Sequence, residues 1–205
     1  VVMLGIVLLV NYKERHPKNE YAIHTSRRKY PVRCMGHPFK AYYELKVDKA
    51  GSLALANGIL VLLALAAIMQ TQLTGFHFNE NRTDQFNLFV TLGSTLGVFV
   101  LFVLCNWAVS TLADGEGTLR EIWIFSAYAM LPLVVTLLSN MFSLEESAFL
   151  SIIQTVAYLW VGVNLLMAVR EVHQYTTGKC ILLLLLTLLG MYLLLLIVTL
   201  GYSMF

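Results

Sequence analysis

Five runs of this sequence contain no Asp, Glu, Lys or Arg: Ser52–Gln70, Asn87–Leu112, Trp123–Phe142, Ser147–Ala168 and Ile181–Thr199. Each approaches or exceeds the ~20 residues that a helix needs to cross ~30 Å of hydrocarbon at about 1.5 Å per residue. Inside a bilayer every backbone N–H and C=O must find a partner within the protein, so each run is read as a helix. A membrane β-barrel would need short segments alternating with a period of two. Leu182–Leu189, broken only by Thr187, has no such alternation. Charged residues make up 13% of the chain, about half of the ~25% of a soluble domain. Hydrophobic residues reach 58% and the mean hydropathy is +0.72, so a water-soluble core is excluded. The fold class is all-α: a polytopic transmembrane helical bundle with five core spans plus a partial N-terminal span.

That partial span is Val1–Val10, half the length of a full one. No basic stretch precedes it, as a secretory signal would require. Residues 1–11 are read as the end of an extra transmembrane span, with residue 1 lying inside a longer protein. A short or trimmed end is the alternative. Residues 12–51 form a basic segment, and residues 52–205 the five-span membrane domain.

Basic residues set the orientation, because short cytoplasmic loops are enriched in them. Ten of the 14 Lys and Arg residues, from Lys13 to Lys49, precede the first core span, and Arg120, Arg170 and Lys179 fall in later loops on the same side. Arg82 alone falls on the other. Tyr12–Gly51, Ala113–Ile122 and Val169–Cys180 are therefore expected to be cytoplasmic. Thr71–Phe86, Ser143–Glu146, Phe205 and Val1 are expected to face outward, in a multi-pass cell-membrane protein.

The basic segment has two parts. Tyr12–Arg33 carries Arg27-Arg28-Lys29 and reads as a solvated loop, or as a cluster attracting anionic lipid at ~1 kcal/mol per residue. His37–Lys49 interleaves Phe39, Tyr42, Tyr43, Leu45 and Val47 with Lys40, Glu44, Lys46 and Lys49. After Pro38 this predicts a short interfacial helix with aromatic rings at headgroup level. Phe39, Tyr42 and Tyr43 are equally compatible with docking onto a partner.

Catalytic groups are hard to find. Cys34, Cys105 and Cys180 are too few for a disulfide framework and read as buried or bystander thiols. The five histidines have no HxxxH or CxxC companions, so no metal is expected. Gly115-Glu116-Gly117-Thr118 lacks the GxxxxGK[ST] spacing of a phosphate loop, and its acids would repel phosphate. No GxSxG, HExxH or paired intramembrane carboxylates occur. Neither enzymatic activity nor a cofactor is expected.

The spans hold only neutral polar groups, among them Asn57, Asn106, Gln154 and Asn164. They read as interhelical hydrogen bonds worth ~0.6 kcal/mol each, or as a translocation pathway without ionisable groups. Gly93 and Gly97 form a GxxxG pair, and Ala54 and Gly58 a small-xxx-small pair. Internal helix packing is the first reading of both, and an interface with another subunit the second. Asn81-Arg82-Thr83 matches a glycosylation acceptor.

Between the second and third core spans lies Asp114-Gly115-Glu116-Gly117, a turn just outside the membrane. Thr118 and Glu121 have the spacing of a capping box, so the next helix is predicted to start near Leu119. Trp107 is expected to pack between helices, with Asn106 bonding across to a neighbour. Pro132 should kink the third span. Asp114, Glu116 and Arg120 are candidates for contact with a partner.

His37-Pro38-Phe39, Tyr43-Glu44-Leu45-Lys46, Asn106-Trp107, Asp114-Gly115-Glu116-Gly117 and Ala127-Tyr128-Ala129-Met130-Leu131-Pro132 occur in that order at span boundaries. Together they resemble the bacterial branch of the Yip1 family of five-span membrane proteins, over roughly His37 to Phe205. Ala127 stands where the family's Gly-Tyr…Pro element has Gly, which puts local helix packing in question. The Asp-Leu-Tyr-Gly-Pro element of eukaryotic members is missing, which argues against a role in Golgi traffic. The resemblance implies an accessory membrane protein of the kind encoded near carbohydrate ABC permeases. It also implies a complete protein with a sixth span and an outward-facing domain.

The leading expectation is a non-enzymatic accessory or scaffold subunit of a bacterial membrane complex, with an ABC-type carbohydrate transporter as its host. The rivals are a stand-alone channel, carrier or lipid-moving protein, and a trafficking adaptor binding small GTPases through Tyr12–Lys49. The expected partners are other integral membrane subunits and the bilayer, not nucleic acid.

Overall fold

The computed structural model of the chain describes residues 27–73, 87–141 and 148–203. The expected N-terminal partial span, residues 12–26 of the basic segment, the glycosylation match, Ser143–Glu146 and Phe205 lie outside the described residues. After a 3₁₀ turn at Arg27–Lys29 come two short helices, α1 (Tyr30–Gly36) and α2 (Pro38–Val47). Five membrane-length segments follow. They are α3 (Leu53–Leu73), α4 (Leu88–Leu112), the pair α5 (Leu119–Ala129) and α6 (Leu131–Met141), α7 (Ala148–His173) and α8 (Thr177–Ser203).

Local sequence explains the boundaries. Thr118 accepts from the Glu121 backbone N–H at 3.3 Å, and the Glu121 carboxylate accepts from the Thr118 backbone N–H at 3.0 Å. This reciprocal pairing satisfies orphan donors, and α5 starts at Leu119 as predicted. It carries the third span four residues beyond the uncharged run, whose first residue is Trp123. The fourth span extends to His173, past Arg170 and Glu171, because its helix runs on after the apolar stretch has ended. Pro132 has no N–H to offer the Tyr128 carbonyl, and the third span breaks at Met130 into α5 and α6.

Three helices at the basic end finish in the left-handed region without glycine: Lys49 (φ 47°), Asp114 (φ 55°) and Gln174 (φ 56°). In each case the next N–H reaches back five residues: Ala50 to Leu45 O (3.3 Å), Gly115 to Ser110 O (2.9 Å) and Tyr175 to Arg170 O (3.1 Å). These are Schellman-type caps that turn the chain sharply. The left-handed conformation is unfavourable for an L-residue, least so for Asp or Asn. Lys49→Gly is therefore expected to stabilise the chain by about 1 kcal/mol, read as a higher melting temperature in detergent. Asp114→Gly should gain less.

The third span is the hub. It buries 61% of its membrane window against 17–33% for the other four. α5 packs on α3, α4 and α7, and α6 on α3 and α7, while α8 lies against α4. The outer faces of α3, α4, α7 and α8 expose Leu, Ile and Val, as helices in contact with lipid do. α1 and α2 belong to the same core. Tyr30, Cys34, Ala41, Tyr42 and Leu45 are buried with Phe125, Tyr128 and Met167. The Tyr42 and Phe125 rings sit 5.8 Å apart. Trp160 of α7 donates to the Met35 carbonyl at 2.7 Å, satisfying the end of α1. Arg33 pairs with Glu44 (2.8 Å) and Tyr30 donates to Asp48 (2.6 Å), which locks α1 to α2.

Candidate functional site

The polar chemistry gathers at the basic end, where the Asp114–Gly117 turn meets the last turn of α7. Gly115 and Gly117 are glycines because of this approach. A Cβ on Gly115 would stand 2.5 Å from Tyr175 Oη and 2.7 Å from His173 Nδ1. On Gly117 it would strike Val172 Cγ1 and come within 2.7 Å of His173 Cε1. Backbone thus lies directly on a side-chain shelf formed by Val172, His173 and Tyr175.

His173, 2% exposed, links this turn to the membrane core. The Gly117 N–H donates to His173 Nδ1 at 3.2 Å, so that nitrogen is bare. Nε2 then carries the proton and faces Asn106 Oδ1 at 3.2 Å, a tautomer assigned from its partners. Asn106 Nδ2 donates to Thr187 Oγ1 at 3.3 Å, and Thr187 donates to the Leu183 carbonyl at 2.8 Å. The chain of donors runs one way, from the turn through α7 and α4 to α8, with each inner group buried. Tyr175 stacks on the imidazole at 5.2 Å and donates to the Ser110 and Ala113 carbonyls at 3.4 and 3.3 Å, closing the end of α4. Burial, with Asp114 adding, pushes the Tyr175 hydroxyl above its ordinary range. Lys179 caps the outer face of that ring at 4.6 Å. On the other side of the turn, Lys46 of α2 bridges to Glu121 at 2.8 Å.

The anticipated residues divide. Asn106 is buried and bonds across to α7 and α8, as expected. Trp107 does not pack between helices: it is 42% exposed on the outer face. Consecutive helical residues point ~100° apart, so the two side chains cannot share a direction. Asn106 follows the buried series Phe99, Phe102, Val103 and Ser110, and Trp107 the exposed series Val100 and Leu104. Tyr42, expected as a partner contact, is fully buried beneath α5 and α7. Phe39 is half-buried against the core, and Tyr43 alone of the three aromatics is exposed, at 55%. Asp114, Glu116 and Arg120 all expose their side chains.

Among the described residues Gly93 and Gly97 do not serve internal packing: both face outward, and a methyl group added at either would have none of those residues' atoms within 4 Å; the same holds for Gly58, and Ala54 is exposed beside it. Gln154 donates to Tyr158 Oη at 3.0 Å, and Asn164 donates to the Trp160 carbonyl at 2.9 Å. Among the described residues no hydrogen bond joins Asn106, Gln154 and Asn164 into one path. Burial raises the Cys34 thiol well above its ordinary range, and Cys105 and Cys180 are buried too.

The motif positions acquire roles. Glu44 and Lys46 neutralise Arg33 and Glu121, and Tyr128 holds both the backbone N–H (3.2 Å) and the carbonyl (3.4 Å) of Ser52. Ala127 is wholly buried and fits without disturbing α5. A family model described as the Yip1 domain matches residues 33–199. The chain belongs to the Yip1 family. No curated protein and no solved structure matches it. Within this Yip1 domain, His173 and Tyr175 are the residues that sequence reasoning missed. Histidine spacing speaks only to metal ligation, and a polar Asn106 inside a span was the signal that a buried partner had to exist.

Proposed function

We propose that this Yip1 protein is a non-enzymatic accessory or scaffold subunit of a bacterial membrane complex, with an ABC-type carbohydrate transporter as its host. The observation that carries the reading is the outward placement of the Gly93/Gly97 face, with Ala54/Gly58 on α3. Small residues on a lipid-facing helix let a second helix approach closely, and among the described residues nothing of the same chain fills the space beside these glycines. The exposed acids of the turn add a polar contact surface at the basic end, which positive-inside reasoning assigns to the cytoplasm. The choice of host rests on the resemblance to bacterial members of the family.

Isolation of the native protein in mild detergent is expected to bring down permease subunits. Gly93→Leu and Gly97→Leu should reduce that co-purification about tenfold, roughly 1.4 kcal/mol, without lowering the melting temperature of the isolated chain. A clean monomer from native membranes overturns the proposal.

A further inference from the structure

A cavity of about 550 Å³ opens among α3, α4, α6, α7 and α8, toward the end of the bundle away from α1 and α2. Its inner walls are apolar and include Leu63, Phe99, Phe102, Met130, Leu165 and Leu188. Its polar groups come from the far end of α3 and the beginning of α4, with Gln70, Thr71, Thr91, Ser94 and Thr95, and from Tyr158 of α7. Among the described residues no Asp, Glu, Lys, Arg or His lines it. Ser94 and Thr95 belong to Gly93–Gly97, which winds as a π-helix inside α4. Such segments are rare and are frequently found at functional sites.

We propose that this cavity binds one acyl chain of a membrane lipid whose head is uncharged and bears a hydroxyl group, as in a diacylglycerol. Size and setting favour a chain. The volume lies within the ~300–1,000 Å³ of ligand sites, and is more than three times the ~150 Å³ that takes up a single benzene. The surrounding solvent is hydrocarbon, so a lipid tail enters without crossing water.

The rim selects the head. Thr91 donates its hydroxyl proton to the Asn87 carbonyl at 3.3 Å, and Ser94 donates to the Thr91 carbonyl at 3.1 Å. With their protons turned back to the helix, the Thr91 and Ser94 oxygens act as acceptors, which suit a hydroxyl of the ligand, while Tyr158, whose Oη accepts from Gln154, has its own proton to give to an ester carbonyl. A phosphate or a free carboxylate brings acceptors and negative charge to a rim with no cation among its described residues, and that burial is costly. The assignment is independent of the accessory-subunit reading, because it concerns the isolated chain.

The test uses the full chain, purified in detergent and examined by native mass spectrometry. The probes are dioleoylglycerol, dioleoylphosphatidylglycerol and oleate, added separately. A one-to-one dioleoylglycerol adduct is expected, with about tenfold weaker retention of the two anionic lipids. Ala67→Phe on α3 and Ser94→Phe on α4 each fill the cavity and should abolish the adduct. Val61→Phe, at a position of α3 that is 58% exposed, should leave it intact. Melting curves of each variant report folding. Absence of a wild-type adduct overturns the proposal, as does undiminished retention by both filled variants. Equal retention of phosphatidylglycerol overturns the assigned head, and that comparison needs only the wild-type chain.

Discussion

Gly117→Ala is expected to destabilise the purified chain by about 2–3 kcal/mol, the upper part of the range for forcing a methyl into a packed site. The new methyl meets Val172 Cγ1 and the imidazole of His173, and neither can give way cheaply. Val172 is 1% exposed within the core, and the imidazole is held between Asn106 and the stacked Tyr175. The turn itself must therefore lift. Lifting it breaks the Gly117 N–H bond to Nδ1 and leaves that nitrogen buried without a partner, which adds to the cost. Gly97→Ala is the matched control. The helix there has open space around the site, and alanine is the better helix former by about 1 kcal/mol, so the isolated chain should melt no lower. If the two alanine variants melt alike in detergent, the docking of the turn on α7 is not a structural restraint.

The contrast between those glycines shows what the sequence made legible. Span number, the α5 start at Thr118–Glu121 and the break at Pro132 were readable because each follows from local chemistry: length without charge, a reciprocal cap, a missing N–H. The outward direction of Gly93 and Gly97 was not, because GxxxG reports only that a helix has a small face and not where that face points. Tyr42 misled for a related reason. A ten-residue helix that alternates charged and aromatic residues has the pattern of an interfacial helix. Only the neighbouring α5 and α7 decide that its aromatic side turns inward. Trp107 was recoverable in principle, since placing Asn106 inward sends the next residue outward. His173 was not, because its partners lie 67 and 56 residues away in sequence, at Asn106 and Gly117, and nothing in the sequence records that α4 and α7 end side by side.

That same pairing gives the other large expected effect. His173→Leu removes an acceptor from the part-buried Gly117 N–H and a donor from Asn106 Oδ1, a buried group that then has no partner for that lone pair. Average membrane hydrogen bonds, at ~0.6 kcal/mol, would make this a minor loss. The average applies where the stranded group finds a substitute, and water is the substitute least available beneath the docked turn. The stranded-partner cost of about 1–3 kcal/mol is therefore the better guide, and a total near 3 kcal/mol is expected. Asn106→Leu should cost less, because it strands His173 Nε2–H but leaves Thr187 bonded to the Leu183 carbonyl. The double variant Asn106→Leu/His173→Leu then removes both ends of one buried pair, and apolar replacement of both partners is close to neutral at that contact. Its loss of stability should fall short of the sum of the single losses by about 1–2 kcal/mol, in a double-mutant cycle read by unfolding in mixed detergent. Strict additivity would mean that the imidazole and the amide do not share a hydrogen bond, and the directed chain from the turn to α8 would be lost with it.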